Sequence, residues 1–406
     1  MCLPIRNVAV VAHVDHGKTT LVDRLLVTAG AVASLPEDEA LMMDTNELER
    51  ERGITIFSKN CAIEYRGVKI NLIDTPGHAD FGGQVERVLR MADAVLLLVD
   101  AYEGPLPQTR FVLRKAREAG LPPLVVINKI DRRDARPAEV LDLVYGLFID
   151  LEADDDELDF PVLYASGRKG VSGHAPDDLQ PTLLPILDAI LEHVPPPQAD
   201  PAGATDLPVC DVEVDPYAGR IAVGRLEGGS IRGGERMLLV GPGDRRMTTN
   251  AVRLFLFHGM GRKEAEEVSA GDLVAVGGLT DVEIGDTLTD PESPVDPREL
   301  KVESPTLAME FRINDSPVAG REGKFVTSRQ VRARLDRAAR SDVAPQVLEG
   351  ELPDAWEVRG RRIPHLGILI ETLRREGYEF AVGRPRVLIR DGESGPEEPT
   401  ENVNVE

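Results

Sequence analysis

A loop near the N-terminus carries residues whose types and order suit phosphate chemistry. Residues 12–19 read Ala-His-Val-Asp-His-Gly-Lys-Thr and lie between the apolar run Ile5–Val11 and the amphipathic stretch Thr20–Val27. A loop that joins a strand to a helix presents backbone N–H groups and the positive helix end to phosphate oxygens. In this context Lys18 would contact the β- and γ-phosphate oxygens, and the Thr19 hydroxyl would bind Mg²⁺. The alternative is an accidental glycine turn.

A second candidate lies at residues 74–78, which read Asp-Thr-Pro-Gly-His. They follow the apolar run Lys69–Ile73, so Asp74 would lie at the same sheet edge as the first loop and hold Mg²⁺ through a water molecule. The Gly77 amide would contact a γ-phosphate. Taken alone, the Pro-Gly pair is also typical of an ordinary turn.

A motif that suits base recognition follows a third apolar run. Residues 128–131 read Asn-Lys-Ile-Asp. The Asp131 carboxylate would accept hydrogen bonds from N1–H and N2–H₂ of guanine, whereas adenine lacks that donor pair and would leave the acceptor unpaired. Asn128 would face the N7/O6 edge, and the Lys129 stem would cover the base. The alternative is that Asp131 is a solvated aspartate at a strand end. That alternative is less favoured because Ser166 ends another strand, where a second base-contacting loop is expected.

These loops can act together only if the elements before them place them at one edge of a sheet. Apolar runs predict strands at Ile5–Val11, Lys69–Ile73, Ala94–Val99, Leu124–Ile127 and Pro161–Ala165. Helical periodicity predicts helices at Phe81–Ala92, Gln108–Ala119, Ala138–Leu151 and Pro181–Val194. This alternation indicates a parallel, right-handed α/β sheet, which binds ligands at the carboxyl ends of its strands.

Motif order and placement together predict a guanine-nucleotide-binding domain. The predicted nucleotide contacts are Asp15, His16, Gly17, Lys18, Thr19, Thr20, Asn128, Lys129, Asp131, Ser166, Gly167 and Arg168.

The pattern of apolar residues, glycines and prolines changes twice downstream, which predicts a multidomain α/β protein. Residues 1–198 would form the P-loop GTPase domain, and a proline-rich linker follows. Short glycine-punctuated runs predict an antiparallel β-barrel over 206–292. Residues 303–384 have the strand and helix order of a ferredoxin-like α+β domain, with helices near Phe325–Arg340 and Pro364–Glu376. Residues 385–406, with a strand at Glu401–Glu406, would start a further α/β domain that the sequence leaves incomplete.

Composition excludes several classes of protein. Hydrophobic residues make up 42% and charged residues 29%, which argues against extended disorder. Apolar runs are far shorter than a membrane helix needs, and no basic and apolar leader precedes the first strand. The three cysteines are scattered, without disulfide or metal-ligand spacing. We therefore expect a reduced, cytoplasmic protein that does not bind membranes and is monomeric.

The net charge of −23 argues at first against a nucleic-acid partner, and no DNA partner is expected, but the charge is unevenly distributed. Residues 301–390 hold 17 Lys and Arg against 13 Asp and Glu, so this segment is basic. One predicted helix contains Arg329, Arg332, Arg337 and Arg340. Val331, Leu335 and Ala338 occupy its opposite side. Such a helix would contact RNA phosphates; a solvated basic face is the alternative.

Longer motifs make the chain resemble one family of translation factors. Residues 52–56, Arg-Gly-Ile-Thr-Ile, resemble switch I of translational GTPases, and residues 74–78 resemble switch II. Residues 81–88, 105–111 and 322–330 are very similar to the BipA/TypA ribosome-binding GTPases. The last of these, Glu-Gly-Lys-Phe-Val-Thr-Ser-Arg-Gln, is long and unusual. The resemblance covers essentially the whole chain.

This resemblance implies specific roles and partners. Thr55 would complete the Mg²⁺ shell and sense the γ-phosphate, and His78 would orient the attacking water. Val14 and Ile54 would form a hydrophobic gate that holds His78 away until the ribosome docks. Asp15 is a candidate ligand for a monovalent cation. The implied partner is the ribosome, both its RNA and its proteins, with roles in ribosome biogenesis and the stress response.

Three departures from the family pattern bear on function. The chain is expected to be C-terminally shortened, since the family continues with further domains. Residues 360–366 read Gly-Arg-Arg-Ile-Pro-His-Leu where the family shows Gly-Arg-Gly-Glu-Leu-His-Leu, and Ser166-Gly167-Arg168 replaces the usual Ser-Ala. Two alternatives to a BipA/TypA GTPase therefore stay open: a ribosomal GTPase of the elongation factor G or LepA type, and a GTP-dependent binding module that does not hydrolyse GTP.

Overall fold

The computed structural model describes residues 3–34, 59–75, 82–215, 219–251, 253–297, 305–341, 346–350, 352–360, 363–392 and 395–397. The chain divides into two compact units, Met1–Glu299 and Leu300–Glu406, which are described separately. No helix within the described ranges has the length and apolar character that crossing a membrane requires.

Within the described part of the first unit, the nucleotide-binding motifs lie on an eight-stranded sheet. Its strands are β1 Ile5–Ala12, β2 Lys59–Tyr65, β3 Val68–Asp74, β4 Ala94–Asp100, β5 Pro123–Asn128, β6 Val162–Ser166, β7 Val171–Ala175 and β8 Asp178–Gln180. The spatial order is β2-β3-β1-β4-β5-β6-β7-β8. The strands from β3 to β6 run parallel, as predicted.

The sheet continues beyond the predicted strands at both edges, and there the pairing is antiparallel. Strand β2 pairs antiparallel with β3, and β7 and β8 pair antiparallel beyond β6. The first reversal has a local cause, because Arg66 and Gly67 both have left-handed φ values of 49° and 76°. A two-residue turn of that kind makes a hairpin whose twist matches its strands.

Both faces of this sheet are covered by helices. They are α1 Lys18–Thr28, α2 Gly82–Arg90, α3 Pro107–Glu118, α4 Pro137–Asp150 and α5 Leu184–His193. Each lies within a few residues of its predicted position. Every residue of β4 is buried, with Val95, Leu97 and Val99 in one apolar cluster and Ala94, Leu96 and Leu98 in another. Burial on both faces explains why the strands read as continuous apolar runs.

An antiparallel β-barrel completes the first unit. Its strands are β9 Asp206–Pro208, β10 Asp211–Asp215, β11 Gly219–Arg225, β12 Ser230–Arg232, β13 Arg236–Gly241, β14 Arg245–Asn250, β15 Arg253–His258, β16 Gly261–Ala265, β17 Glu267–Ser269, β18 Leu273–Leu279 and β19 Thr287–Thr289, with a 3₁₀ turn at Pro242–Asp244. The sheet orders in the described residues are β10-β11-β18-β15-β16, β12-β17 and β14-β13-β19-β9.

A buried polar network joins the barrel to the eight-stranded sheet. The Lys69 ammonium lies 2.8 and 2.7 Å from the two carboxylate oxygens of Asp272. Asn71 donates hydrogen bonds to Asp272 Oδ1 at 2.9 Å and to Asn7 Oδ1 at 2.8 Å. Because Asn7 and Asn71 lie on the two strands that lead to the phosphate loop and to Asp74, the barrel contacts the same strands that carry the site.

The second unit has the predicted ferredoxin-like topology. Its elements are β20 Leu307–Ile313, α6 Ser328–Ser341, β21 Gln346–Glu349, β22 Ala355–Gly360, α7 Ile363–Arg375, β23 Phe380–Val382 and β24 Arg386–Val387, followed by β25 Arg390–Gly392 and β26 Gly395–Glu397. The main sheet has the order β21-β22-β20-β23 and is antiparallel. Val331 and Leu335 of α6 pack with Phe311, Trp356 and Leu366.

The predicted start of α6 at Phe325 is wrong by three residues. Phe325 instead forms a β-bridge with Tyr378 and packs against its ring in a tilted arrangement, with the ring centroids 4.8 Å apart. Gln330 Oε1 accepts hydrogen bonds from the Thr327 backbone N–H at 3.2 Å and from its hydroxyl at 2.7 Å, so the helix is capped at Thr327. The predicted strand Glu401–Glu406 lies outside the described residues.

Candidate nucleotide-binding site

The phosphate-binding loop is shaped by two left-handed residues between β1 and α1. Asp15 has φ 63° and Gly17 has φ 90°, and α1 begins at Lys18. A Cβ at position 17 would lie 2.7 Å from Asn128 Nδ2, so only glycine fits there without displacing a neighbour. The loop therefore packs directly on the residue that starts the base-recognition motif. Val14 is half-buried and Asp15 is exposed.

Lys18 and Asp74 form a nearly inaccessible ion pair beside this loop. Lys18 Nζ lies 3.0 Å from Asp74 Oδ1, and their side chains are 6% and 1% exposed. Thr19 is buried in the first turn of α1, and Thr20 is half-buried. The register of β1 and β3, which pairs Val10 with Asp74, brings the two motifs together.

The oxygen donors at this point fit Mg²⁺. A hydroxyl from Thr19 and a carboxylate from Asp74 are the hard ligands that this ion prefers, and Mg²⁺ usually takes one or two carboxylates together with substrate phosphates. No group of three or more His, Cys, Asp or Glu side chains suited to a metal occurs among the described residues.

Asn128 links the phosphate loop to the loop after β6. Its Nδ2 donates to the His16 carbonyl at 2.9 Å, and its Oδ1 accepts the Gly167 N–H at 3.0 Å. The side chain is 2% exposed. Since these bonds use the carbonyl oxygen and one amide hydrogen, the predicted contact with the N7/O6 edge of guanine falls to the remaining N–H.

The other predicted base contacts line the same edge. Asp131 is partly exposed and lies 3.9 Å from Lys169 Nζ, at the mouth of the site. The Ser166 hydroxyl accepts the Lys169 N–H at 3.2 Å, which shapes the loop at residues 166–169. Arg168 is exposed, and its carbonyl accepts a hydrogen bond from Arg24 of α1 at 3.1 Å.

Asp100 lies at the candidate site although no sequence motif indicates it. It ends β4, is fully buried, and its Oδ2 lies 2.8 Å from Lys129 Nζ. Burial alone would raise the pKa of this carboxyl, but the hydrogen bonds from Lys129 and from the Tyr102 N–H hold its pKa below the ordinary value. Its position at the carboxyl end of a buried strand, like that of Asn128, was the available signal.

His16 is a buried polar residue of the phosphate-binding loop. Its ring is fully buried, and burial lowers its pKa, so the ring is neutral near pH 7. Nδ1 lies 3.3 Å from the Asp100 backbone nitrogen and 3.4 Å from the Leu98 carbonyl. Of the predicted switch residues, Ile54, Thr55, Gly77 and His78 lie outside the described residues.

Comparison with known proteins gives a consistent picture. Residues 3–196 match the family model of the elongation factor Tu GTP-binding domain, and residues 219–289 match elongation factor Tu domain 2. A large ribosomal subunit assembly factor BipA from Synechocystis is 52% identical over 99% of this chain and 67% of its own length. The chain belongs to the BipA family. This membership favours the prediction of a BipA/TypA GTPase over the elongation factor G and LepA alternatives.

Other BipA proteins match in the same way. The factors of that name from Bacillus subtilis and Salmonella typhimurium are 46% and 44% identical over 99% of this chain and 66% of their own lengths. The chain thus spans about two thirds of the length of these BipA relatives. A solved structure from Thermus thermophilus shares the fold, with a TM-score of 0.72 and 20% identity over 97% of this chain and 72% of that one.

Proposed function

We propose that this BipA-family chain is a Mg²⁺-dependent GTPase that hydrolyses GTP to GDP and phosphate and uses the nucleotide state to switch ribosome binding. The observation that carries the proposal is the convergence of three loops at one sheet edge. Asn128 contacts both the phosphate loop and the loop at Gly167, while Lys18 contacts Asp74. Base recognition and phosphate binding therefore share one rigid frame.

Each residue has a role in binding. Lys18 and the backbone N–H groups of residues 15–20 hold the β- and γ-phosphates, and Asp131 accepts the guanine N1–H and N2–H₂. Thr19, Thr55 and, through water, Asp74 hold Mg²⁺, which offsets negative charge on the phosphates. The guanine base is also contacted by the loop that contains Ser166, Gly167 and Arg168. Asp15 is the candidate for a monovalent cation, since its exposed carboxylate lies on the loop.

Catalysis in this proposal depends on positioning rather than covalent chemistry. His78 orients a water molecule for attack on the γ-phosphorus, and the bond from that phosphorus to the β–γ bridging oxygen breaks. Thr55 and the Gly77 N–H contact the γ-phosphate. Val14 and Ile54 gate His78. Lys18 contributes by stabilising the charge that develops on the transferred group.

The partner in this proposal is the ribosome. The relatives are named large ribosomal subunit assembly factors, so the large subunit is the first partner to test. We propose that residues 1–198, 206–292 and 303–384 are the GTPase, barrel and ferredoxin-like domains, and that 385–406 begins a further one. We also propose a cytoplasmic monomer with no DNA or membrane partner; the predicted link to the stress response stays a prediction.

The decisive experiment is single-turnover GTP hydrolysis with and without purified large ribosomal subunits. We expect stimulation by the subunits, and in the His78→Ala variant a loss of at least ~10²-fold in the stimulated rate with GTP affinity nearly unchanged. Nucleotide-dependent subunit binding without hydrolysis would instead support the binding-module alternative. Normal stimulated hydrolysis by His78→Ala would contradict the catalytic role.

A further inference from the structure

Asp100 occupies a position between the two halves of the nucleotide site. It is the last residue of β4 and pairs in register with Asn128, the last residue of β5. Its side chain is 0% exposed, although it carries a charge. A buried carboxylate is costly unless several groups compensate it, so its contacts indicate what it is for.

The carboxylate is compensated from both sides. Oδ2 lies 2.8 Å from Lys129 Nζ, and Arg132 Nη1 lies 3.5 Å away. Oδ1 accepts the backbone N–H groups of Tyr102 at 2.7 Å and Glu103 at 3.3 Å. The backbone bonds anchor the carboxylate, which in turn fixes the end of the Lys129 side chain.

The backbone of Asp100 faces the phosphate loop. Its N–H points to His16 Nδ1 at 3.3 Å, and the other ring nitrogen of His16 lies 3.4 Å from Glu103 Oε2. With the ring proton on Nε2, Nδ1 is free to accept the Asp100 N–H. Asp100 therefore contacts the loop that binds phosphates through one group and the lysine that covers the base through another.

Lys129 needs such an anchor. Its backbone has φ 62°, an uncommon conformation for a residue with a side chain, and its side chain is 31% exposed. A free lysine side chain is highly flexible and would have to be ordered each time a nucleotide binds. The ion pair with Asp100 orders it beforehand.

We propose that Asp100 is a positioning residue that holds the Lys129 stem against the guanine base and ties it to the phosphate loop through His16. The inference rests on the proposed function, because it assumes that Lys129 covers the base. It assigns Asp100 to nucleotide retention. Asp100 would strengthen the binding of GTP and of GDP equally and would leave the rate of the hydrolysis step unchanged.

The test is the Asp100→Asn variant, which removes the charge but keeps an oxygen for the Tyr102 N–H. We expect GTP and GDP to bind roughly 10-fold more weakly, through faster dissociation, because Lys129 is no longer ordered beforehand. The hydrolysis rate at saturating GTP should stay at the wild-type value. Stopped-flow release of a fluorescent GDP analogue and single-turnover assays measure the two quantities.

A double-variant cycle shows whether Asp100 acts through Lys129. Lys129→Met should cause a similar loss, and Asp100→Asn combined with Lys129→Met should lose no more than either alone. The double variant also removes both charges of the pair together, so it tests the idea if Asp100→Asn alone fails to fold. The proposal would be overturned if the affinity losses of the two single variants multiplied in the double variant, or if Asp100→Asn bound nucleotide like the wild type.

Asp134→Asn is the matched control. It makes the same chemical change in the loop that carries Lys129, where Asp134 pairs with Arg132 at 2.9 Å and both side chains are partly exposed. We expect no change in nucleotide release. Wild-type protein that binds ATP and GTP equally would contradict the proposed function itself, whereas guanine-selective wild type with an unaltered Asp100→Asn variant would contradict this inference alone.

Discussion

Ion pairs are placed in opposite ways in the nucleotide site and on helix α6. In the site, Lys18 with Asp74 and Lys129 with Asp100 place carboxylates that are at most 1% exposed against the cations proposed to bind the nucleotide. On α6, Arg332 lies 2.8 Å from Asp336 and 2.7 Å from Glu349, all partly or fully exposed. Buried pairs determine geometry because breaking them leaves a desolvated charge, whereas exposed pairs contribute little.

The pairs on α6 also change the expectation of a basic surface. Val331, Leu335 and Ala338 are buried as predicted, but Arg332 already contacts two carboxylates, and Arg334 lies 2.6 Å from Glu376. Arg329 and Arg337 are exposed, and the Arg340 side chain lies outside the described residues. RNA binding by this helix stays a prediction, with Arg329 as its main carrier.

The largest effect is expected from Lys18→Ala. It removes the Lys18 cation from beside the buried Asp74 carboxylate, which costs about 3–5 kcal/mol, and it removes the charge proposed to contact the phosphates. GTP affinity should fall by more than about 10²-fold in isothermal titration calorimetry. Lys115→Ala, which breaks partly exposed pairs with Glu86 and Glu118, is the control and should bind normally. Equal losses in the two variants would refute the comparison.

The next effect concerns the base. Asp131→Asn replaces an acceptor for guanine with a group that donates, so GTP should bind about 3 kcal/mol more weakly and xanthosine triphosphate more tightly. Competition with a fluorescent guanine nucleotide measures both affinities. If the variant kept its preference for GTP, Asp131 would not contact the base.

Gly17→Ala tests the contact between the phosphate loop and Asn128. The new Cβ would lie 2.7 Å from Asn128 Nδ2 and hold an unfavourable φ of 90°, so Asn128 must shift. We expect roughly 10-fold weaker GTP binding on top of about 1–2 kcal/mol of lost stability. Gly30→Ala separates the two causes, because Gly30 has φ 73° with nothing within 4 Å of its Cβ position. That control should lose stability only.

The smallest effects are expected on α6. Arg332→Ala should change the free energy of unfolding by less than about 1 kcal/mol, as exposed pairs do. Arg329→Glu should reduce the slope of log affinity against log salt for large ribosomal subunits by about one, if the side chain contacts a phosphate. GTP affinity serves as the internal reference and should not change. An unaltered salt slope would mean that this helix does not contact RNA.

The sequence by itself determined the chemistry of the site and the order of its parts. Each motif follows an apolar run: the first loop follows β1, Asp74 ends β3, and residues 128–131 come at the end of β5. Such runs in a parallel sheet end at one edge. The helices follow from periodicity, and the ferredoxin-like topology from the order of elements. These features depend on neighbours in the chain, so local patterns encode them.

Tertiary structure decided which side chains hold those parts in place. The Asn128 bridge spans 112 residues to His16, and the Lys69 contact with Asp272 spans 203. Neither periodicity nor motif spacing specifies a contact between such distant positions. The antiparallel edge strands, the pairing of Asp100 with Lys129 and the neutralised arginines of α6 are of the same kind. Each is settled by which surfaces pack together and by how little water remains around the charges there.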